Sequence, residues 1–240
     1  MNKILKLSAI ALLASSTSLM AQSKNFAGPS LGLSVSALGA EINGSGTSST
    51  GGTNGANTGS ASVGKVAEIA AIDASYGFAM GNNSVLSIGA TYTPGKAKAG
   101  SGTYTDNGSA LTTNVNDAGS MNVEVKNPYT IYVAPTYVVG PNSAIYAKLG
   151  YSKTDLNVTA TGSAALTKKP DDMEGWTYAI GSKTMLTSNL YLGVEASITD
   201  YDSVTATQST SANGLVAGTT KNITADVKVA QGTVTLGYKF

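Results

Sequence analysis

The chain has 240 residues, of which 12% are charged, and a formal net charge of +1. It holds no Cys, no His and no Arg. That excludes disulfides, thiolate metal sites and a lipoprotein anchor, and it removes the commonest general base and transition-metal ligand. The near-zero charge gives no footing for a nucleic-acid partner, and polarity comes from Ser, Thr, Asn and 28 glycines instead.

The first element is a leader. In "MNKILKLSAIALLASSTSLMAQS", Lys3 and Lys6 precede an apolar run from Leu7 to Leu13 and then small polar residues, the pattern of a secretory signal peptide. The run is far shorter than the roughly 20 residues a membrane-spanning helix needs. Cleavage is expected after Ala21, or after Ser23, leaving 22–240 as the mature domain. Loss of Lys3 and Lys6 leaves 13 lysines against 14 acidic residues, a net charge of −1.

Eight alternating segments follow, separated by Gly, Asn, Ser and Asp clusters. From about Ala27 to Ile42, Leu31, Leu33, Val35 and Ala37 share one face. From about Val63 to Phe78, Ile72, Ala74, Tyr76 and Phe78 do so. The third segment sets Leu86, Ile88, Ala90 and Tyr92 against Ser87, Gly89 and Thr91. The fourth, about Met121 to Val138, sets Tyr129, Ile131, Val133, Pro135 and Tyr137 against Thr130, Tyr132, Ala134 and Thr136. The fifth sets Ile145, Ala147, Leu149 and Tyr151 against Tyr146, Lys148 and Gly150. The sixth carries Trp176, Tyr178 and Ile180, and the seventh Leu190, Leu192, Val194, Ala196 and Ile198 with Tyr191, Gly193 and Glu195 between them. The eighth closes the chain on Val234, Leu236, Tyr238 and Phe240. Connections alternate: short at 79–84, 139–143 and 187–189, long at about 43–62, 94–120, 154–171 and 202–222. This is an up-and-down meander with both termini at the short-turn end. "GSGTSSTGGTNGANTGSAS" in the first long connection is low-complexity and is expected to be disordered. Two irregularities stand out. Pro135 marks a local bulge on this reading. Val227 and Val229 have the opposite parity to Val234 and Leu236, so either a bulge lies near Gln231–Gly232 or the upper strand stands clear of the apolar zone.

The polar face consists of Gly, Ser, Thr and Ala with single charges. That suits a crowded interior rather than a solvated exterior. The apolar face therefore faces lipid. Tyr129 and Tyr137, eight residues apart, span roughly 20 Å of membrane normal. The expected fold is all-β: an eight-stranded antiparallel up-and-down transmembrane β-barrel, with an apolar band between two aromatic girdles. Tyr76, Phe78, Tyr137, Tyr238 and Phe240 would form the periplasmic girdle, and Tyr92, Tyr129, Tyr151 and Trp176 the outer one. Eight strands leave a lumen that side chains can fill, and charges buried there need partners. Asp73, Lys148, Lys183 and Glu195 are expected to form a salt-bridge network.

The closing residues Val234, Leu236, Tyr238 and Phe240 resemble the C-terminal assembly signal of Gram-negative outer-membrane barrels. "YAIGSKTMLTSNLYLGVEASITDYDS" resembles a hairpin of small OmpA-like and opacity-type barrel domains of the porin-like superfamily, with common forms G-x-G-x-K-Y and L-x-L-R-x-E-Y. Lys183 and Glu195 match the charged lumen positions, while Thr184 and Gly193 stand where Tyr and Arg are usual. The resemblance covers essentially the whole mature chain, without the periplasmic OmpA C-terminal domain. It implies location in the cell outer membrane and contact with outer-membrane lipid and lipopolysaccharide. It also implies the barrel assembly machinery and periplasmic chaperones as biogenesis partners, and a monomer.

No cofactor or metal is expected. Asp171, Asp172 and Glu174 in "TKKPDDMEG" lack EF-hand spacing, and the Gly-rich runs lack the context of a phosphate loop. Outer-membrane barrel enzymes use His near the membrane surface, so a non-enzymatic role is expected: surface loops serving membrane integrity, adhesion or envelope interaction. A small porin or channel is the alternative. A secreted soluble barrel or sandwich is a remote one.

Overall fold

The computed structural model describes residues 23–49, 66–105, 118–162, 168, 170–209 and 220–240. A 3₁₀ turn, Ser23–Asn25, precedes nine strands: β1 Gly28–Ser49, β2 Val66–Ala79, β3 Ser84–Tyr92, β4 Lys96–Thr105, β5 Ala118–Gly140, β6 Ser143–Gly162, β7 Asp172–Met185, β8 Leu190–Ser209 and β9 Thr220–Lys239. The order is β3-β2-β1-β9-β8-β7-β6-β5-β4, and β3 also pairs with β5. β3 and β4 lie end to end along β5, so they act as two halves of one stave. The β3–β5 pairing closes an eight-position antiparallel ring. The tight turns 80–83, 141–142 and 186–189 lie at the end where the Phe240 N–H donates to Pro29 O at 3.0 Å.

The register fixes the tilt. Partners traced once around the ring run Gly32, Asp73, Thr91, Thr130, Ser152, Gly175, Tyr201, Val227 and then Ile42, ten residues above the start. Ten residues of stagger over eight strands give a tilt of roughly 40°. At that tilt Tyr92, Tyr129, Tyr151 and Trp176 form one level ring. Tyr76, Phe78, Tyr137, Tyr238 and Phe240 form a second, roughly 20 Å below. Between them the outward face is apolar, with Leu33 at 67% and Ile180 at 70% exposure. The inward face is Ser, Thr, Gly, Ala and Tyr. That is a barrel surface built for hydrocarbon, with its polar side turned in.

Strands of 20 to 23 residues, such as β5, β6, β8 and β9, rise about 50 Å along the axis, twice the apolar band. The connections expected at 43–62, 94–120, 154–171 and 202–222 are correspondingly narrower. β1 runs on to Ser49, β4 occupies Lys96–Thr105, β6 runs to Gly162, and β8 and β9 reach Ser209 and Thr220. Part of the low-complexity run lies in β1; its remainder, 50–62, lies outside the described residues.

Above the outer aromatic ring the barrel turns inside out. Ala40, Val158, Met173, Ala206 and Val227 point inward and are at most 9% exposed. Leu38, Ile42, Ile69, Val123, Val125, Leu156, Val204 and Val229 share the inward side, half-buried. Outside stand Glu41, Asn43, Asp155, Asp200 and Lys228, all exposed. Ion pairs cluster on this outer wall: Lys153–Asp172 at 2.5 Å, Lys153–Glu174 at 3.8 Å and Lys228–Asp200 at 3.4 Å. Below, the solvent is lipid; above, it is water, and the favoured side for apolar groups reverses. Two devices achieve the switch. On β1 and β9 the sequence changes parity while the register stays continuous, so no bulge lies at Gln231–Gly232. The odd parity of Val227 and Val229 is the water-exposed part of the wall. On β5 and β8 the strand itself shifts, between Lys126 and Tyr129 and between Tyr201 and Val204. Asn127 there takes a positive φ of 48°. Pro135 causes no bulge: the β3 register runs through it, and the β6 pairing resumes unshifted.

Candidate functional site

The chemistry-bearing side chains meet inside the barrel, at the level of the bilayer. Asp73 comes from β2, Tyr132 from β5, Tyr146 and Lys148 from β6, Lys183 from β7, and Tyr191 and Glu195 from β8. Each faces inward because it shares the parity of the small residues on its strand.

Lys148 Nζ lies 2.6 Å from Glu195 Oε2, with side-chain exposures of 11% and 12%. The Tyr146 hydroxyl donates to the same oxygen at 2.9 Å. Asp73 is held by hydroxyls rather than by a lysine. Tyr132 donates to both of its oxygens, at 3.1 and 2.9 Å, and Thr91 donates at 2.8 Å. Lys148 Nζ also sits 4.3 Å from the centre of the Tyr132 ring. Lys183 forms no ion pair among the described residues. Its Nζ lies over the rings of Tyr146 and Tyr191, at 5.7 and 5.0 Å. Of the four charges expected to form a salt-bridge network, one pair is in direct contact, while Asp73 and Lys183 are joined to the cluster through tyrosines. Two positive and two negative groups leave it neutral.

The tyrosines are seated by glycine. Tyr132 is the register partner of Gly89, Tyr146 of Gly181 and Tyr191 of Gly237. Each ring lies across the bare backbone of the neighbouring strand. A Cβ on Gly89 would come within 2.6 Å of the Tyr132 ring, and one on Gly181 within 2.5 Å of Tyr146 and 2.7 Å of the Val194 carbonyl oxygen. These three glycines let large rings fill a narrow lumen, a pairing known to stabilise β-sheet glycines. Gly181→Ala is therefore expected to push the phenol off Glu195 and cost about 1–3 kcal/mol. Gly193→Ala, whose Cβ would meet nothing nearer than 3.5 Å, should stay within about 0.5 kcal/mol. Thermal unfolding of both refolded variants checks the contrast, and equal melting temperatures would contradict the seating.

Layers close the cluster from both sides. Above it a hydroxyl belt runs from β5 to β8: Thr130–Ser152 at 2.7 Å, Ser152–Thr177 at 2.6 Å and Thr177–Thr199 at 2.7 Å. Above the belt lies the apolar interior of the upper wall. Below it Val85, Val138 and Ala144 point inward, at most 2% exposed, with Phe26 packed against them. Between the layers a cavity of about 60 Å³ is lined by Asp73, Lys148, Lys183, Tyr191 and Glu195 among others. It has room for a few waters. The buried Tyr191 hydroxyl has no hydrogen-bond partner among the described residues, so water is the group that suits it.

Among the described residues no His, Cys, Asp or Glu cluster is placed to hold a metal. The expected girdle residues Tyr76, Phe78, Tyr92, Tyr129, Tyr137 and Trp176 all face outward, and Tyr151 packs edge-on to Trp176 at 5.7 Å. Val234, Leu236, Tyr238 and Phe240 also face outward. Tyr132, Tyr146 and Tyr191 were placed on the polar face by the sequence pattern but given no part in the charge cluster. Their signal was present, as bulky aromatics on a face otherwise made of Gly, Ser and Thr.

Residues 9–240 match the family model described as outer membrane protein beta-barrel domain. Comparison with curated proteins gave no match. Among solved structures, the outer membrane protein OprG from Pseudomonas aeruginosa is 13% identical with a TM-score of 0.57, covering 89% of this chain and 96% of that one. Ail, the attachment invasion locus protein of Yersinia pestis, solved in complex with the heparin analogue sucrose octasulfate, is 11% identical with a TM-score of 0.43. That match covers 89% of this chain and 99% of Ail. At 13% identity the likeness to OprG is one of fold.

Proposed function

Because the chain belongs to the outer membrane protein β-barrel family and resides in the cell outer membrane, we propose that it is a non-enzymatic surface protein. Its role is to present the wall and loops above the bilayer for envelope integrity, adhesion or contact with lipopolysaccharide. The filled lumen carries this reading. A tyrosine-braced charged layer, a hydroxyl belt and apolar layers at both ends occupy the space a solute would need. Meanwhile half the length of the long strands stands in water, where loops carry recognition. The lack of His in the sequence supports a non-enzymatic role. Outward Val234, Leu236, Tyr238 and Phe240 would serve the assembly machinery as a lipid-side strand, and a monomer suffices because the β3–β5 pairing closes the ring at the level of the bilayer. Proteoliposomes of the refolded protein are expected to swell in sugar solutions no faster than protein-free vesicles. Swelling above that background would overturn the reading in favour of a channel.

A narrow ion path is the second reading, favoured by one observation: Lys183 reaches the cavity without a carboxylate partner. Lys183→Met in planar bilayers separates the two. The filled-barrel reading expects unchanged conductance and an altered melting temperature, whereas a changed conductance would support a gate.

A further inference from the structure

A piece of chain outside the strands, Ser23–Phe26, lies at the base of the barrel. The Ser23 N–H donates to Asn82 O at 2.9 Å and its hydroxyl donates to Gly81 O at 2.6 Å, which ties it to the β2–β3 turn. Asn25 Nδ2 donates to Pro141 O at 2.8 Å, on the β5–β6 turn. The Phe26 N–H returns to Ser23 O at 3.0 Å. The segment thus bridges two turns that are far apart in sequence but neighbours on the rim, since β3 pairs with β5. Ser23 is 4% exposed. Phe26 packs against Val85, Val138 and Ala144, the lowest inward-facing layer of the lumen. The backbone runs so close that a Cβ on Gly77 would lie 2.7 Å from the Phe26 carbonyl oxygen.

We propose that Ser23–Phe26 is a strap that stoppers the periplasmic mouth, and that the leader is removed after Ala21, so that Ser23 stays in the mature protein. This rests on the leader read over residues 1–21 and goes beyond the surface role above. A cut after Ser23 would satisfy the small-residue rule equally well. However, it would strip two donors from the Gly81 and Asn82 carbonyls and place the new Lys24 ammonium where the turn is anchored. The leader cut is thereby assigned by what the folded base needs.

Two measurements test it. The first is the N-terminal peptide of the protein isolated from the outer membrane, released by cleavage at Glu41 and read by tandem mass spectrometry. It is expected to begin at Gln22; a peptide beginning at Lys24, or at Met1, overturns the assignment. The second uses the absence of native cysteine. A single thiol introduced by Val85→Cys is expected to be silent to a charged thiol reagent in the intact barrel. It should react at least about tenfold faster when residues 22–26 are deleted or when Phe26→Ala is added. Equal rates in all three proteins would overturn the stopper. The first measurement needs no variant to fold.

Discussion

Ile180→Lys is expected to destabilise the barrel in phospholipid vesicles by about 2–4 kcal/mol, the cost of a cation on the lipid face near the bilayer midplane. Ile180 is 70% exposed on β7, midway between the two aromatic rings, so its exposure is to hydrocarbon. In water the same substitution on an open strand would pass nearly unnoticed. The control is Thr159→Lys, at an exposed outward position of β6 in the wall above the outer ring. Its effect should stay within about 0.5 kcal/mol. Urea unfolding of both variants in vesicles reads the difference directly. Equal costs would mean that β6 and β7 share one solvent along their whole length.

Glu195→Gln is expected to cost about 3–5 kcal/mol, because it leaves Lys148 buried in the lumen without its counter-charge. The size follows from burial: with side chains at 11% and 12% exposure, water screens little of the lost interaction. The phenol of Tyr146, which donates to the same carboxylate oxygen, loses its best acceptor as well. Lys148→Met in the Glu195→Gln background should recover most of the loss, since no charge then remains unpaired. The double-mutant cycle should give a coupling of at least about 3 kcal/mol, at the upper end of what residues in direct contact show. Additive losses would mean that the two side chains do not meet.

The parts of the fold legible in the sequence were those the bilayer writes into it. Leu31, Leu33 and Val35, or Ile131 and Val133, must face lipid at every second position, so the band, its strand count and the aromatic rings could be read from parity alone. The upper wall was harder because its outward face meets water and its inner face is a small apolar interior. Leu156 with Val158, and Val123 with Val125, alternate there in the opposite sense, among Ser, Thr and Gly that also suit a loop. β4, "KAKAGSGTYT", has no large aliphatic residue, so nothing in it announced a strand. The lumen charges were conspicuous, as single charges on a small-residue face. Their partners were not, since pairing Tyr132 with Gly89 or Tyr146 with Gly181 requires the register between strands. Phe26 stood outside every alternating segment, and its role follows from where the chain enters the barrel.

One continuous wall passes from lipid to water between the outer aromatic ring and its charged rim, reversing its apolar side. A nitroxide scan of single cysteines along β1, from Leu31 to Asn43, tests this most directly, with oxygen and a water-soluble nickel chelate as relaxation agents in vesicles. The expected result is oxygen accessibility at 31, 33, 35 and 37, nickel accessibility at 39, 41 and 43, and low accessibility to both agents at the even positions. Oxygen accessibility persisting through 39–43, or a lipid-exposed signal at 32, 34 and 36, would contradict it.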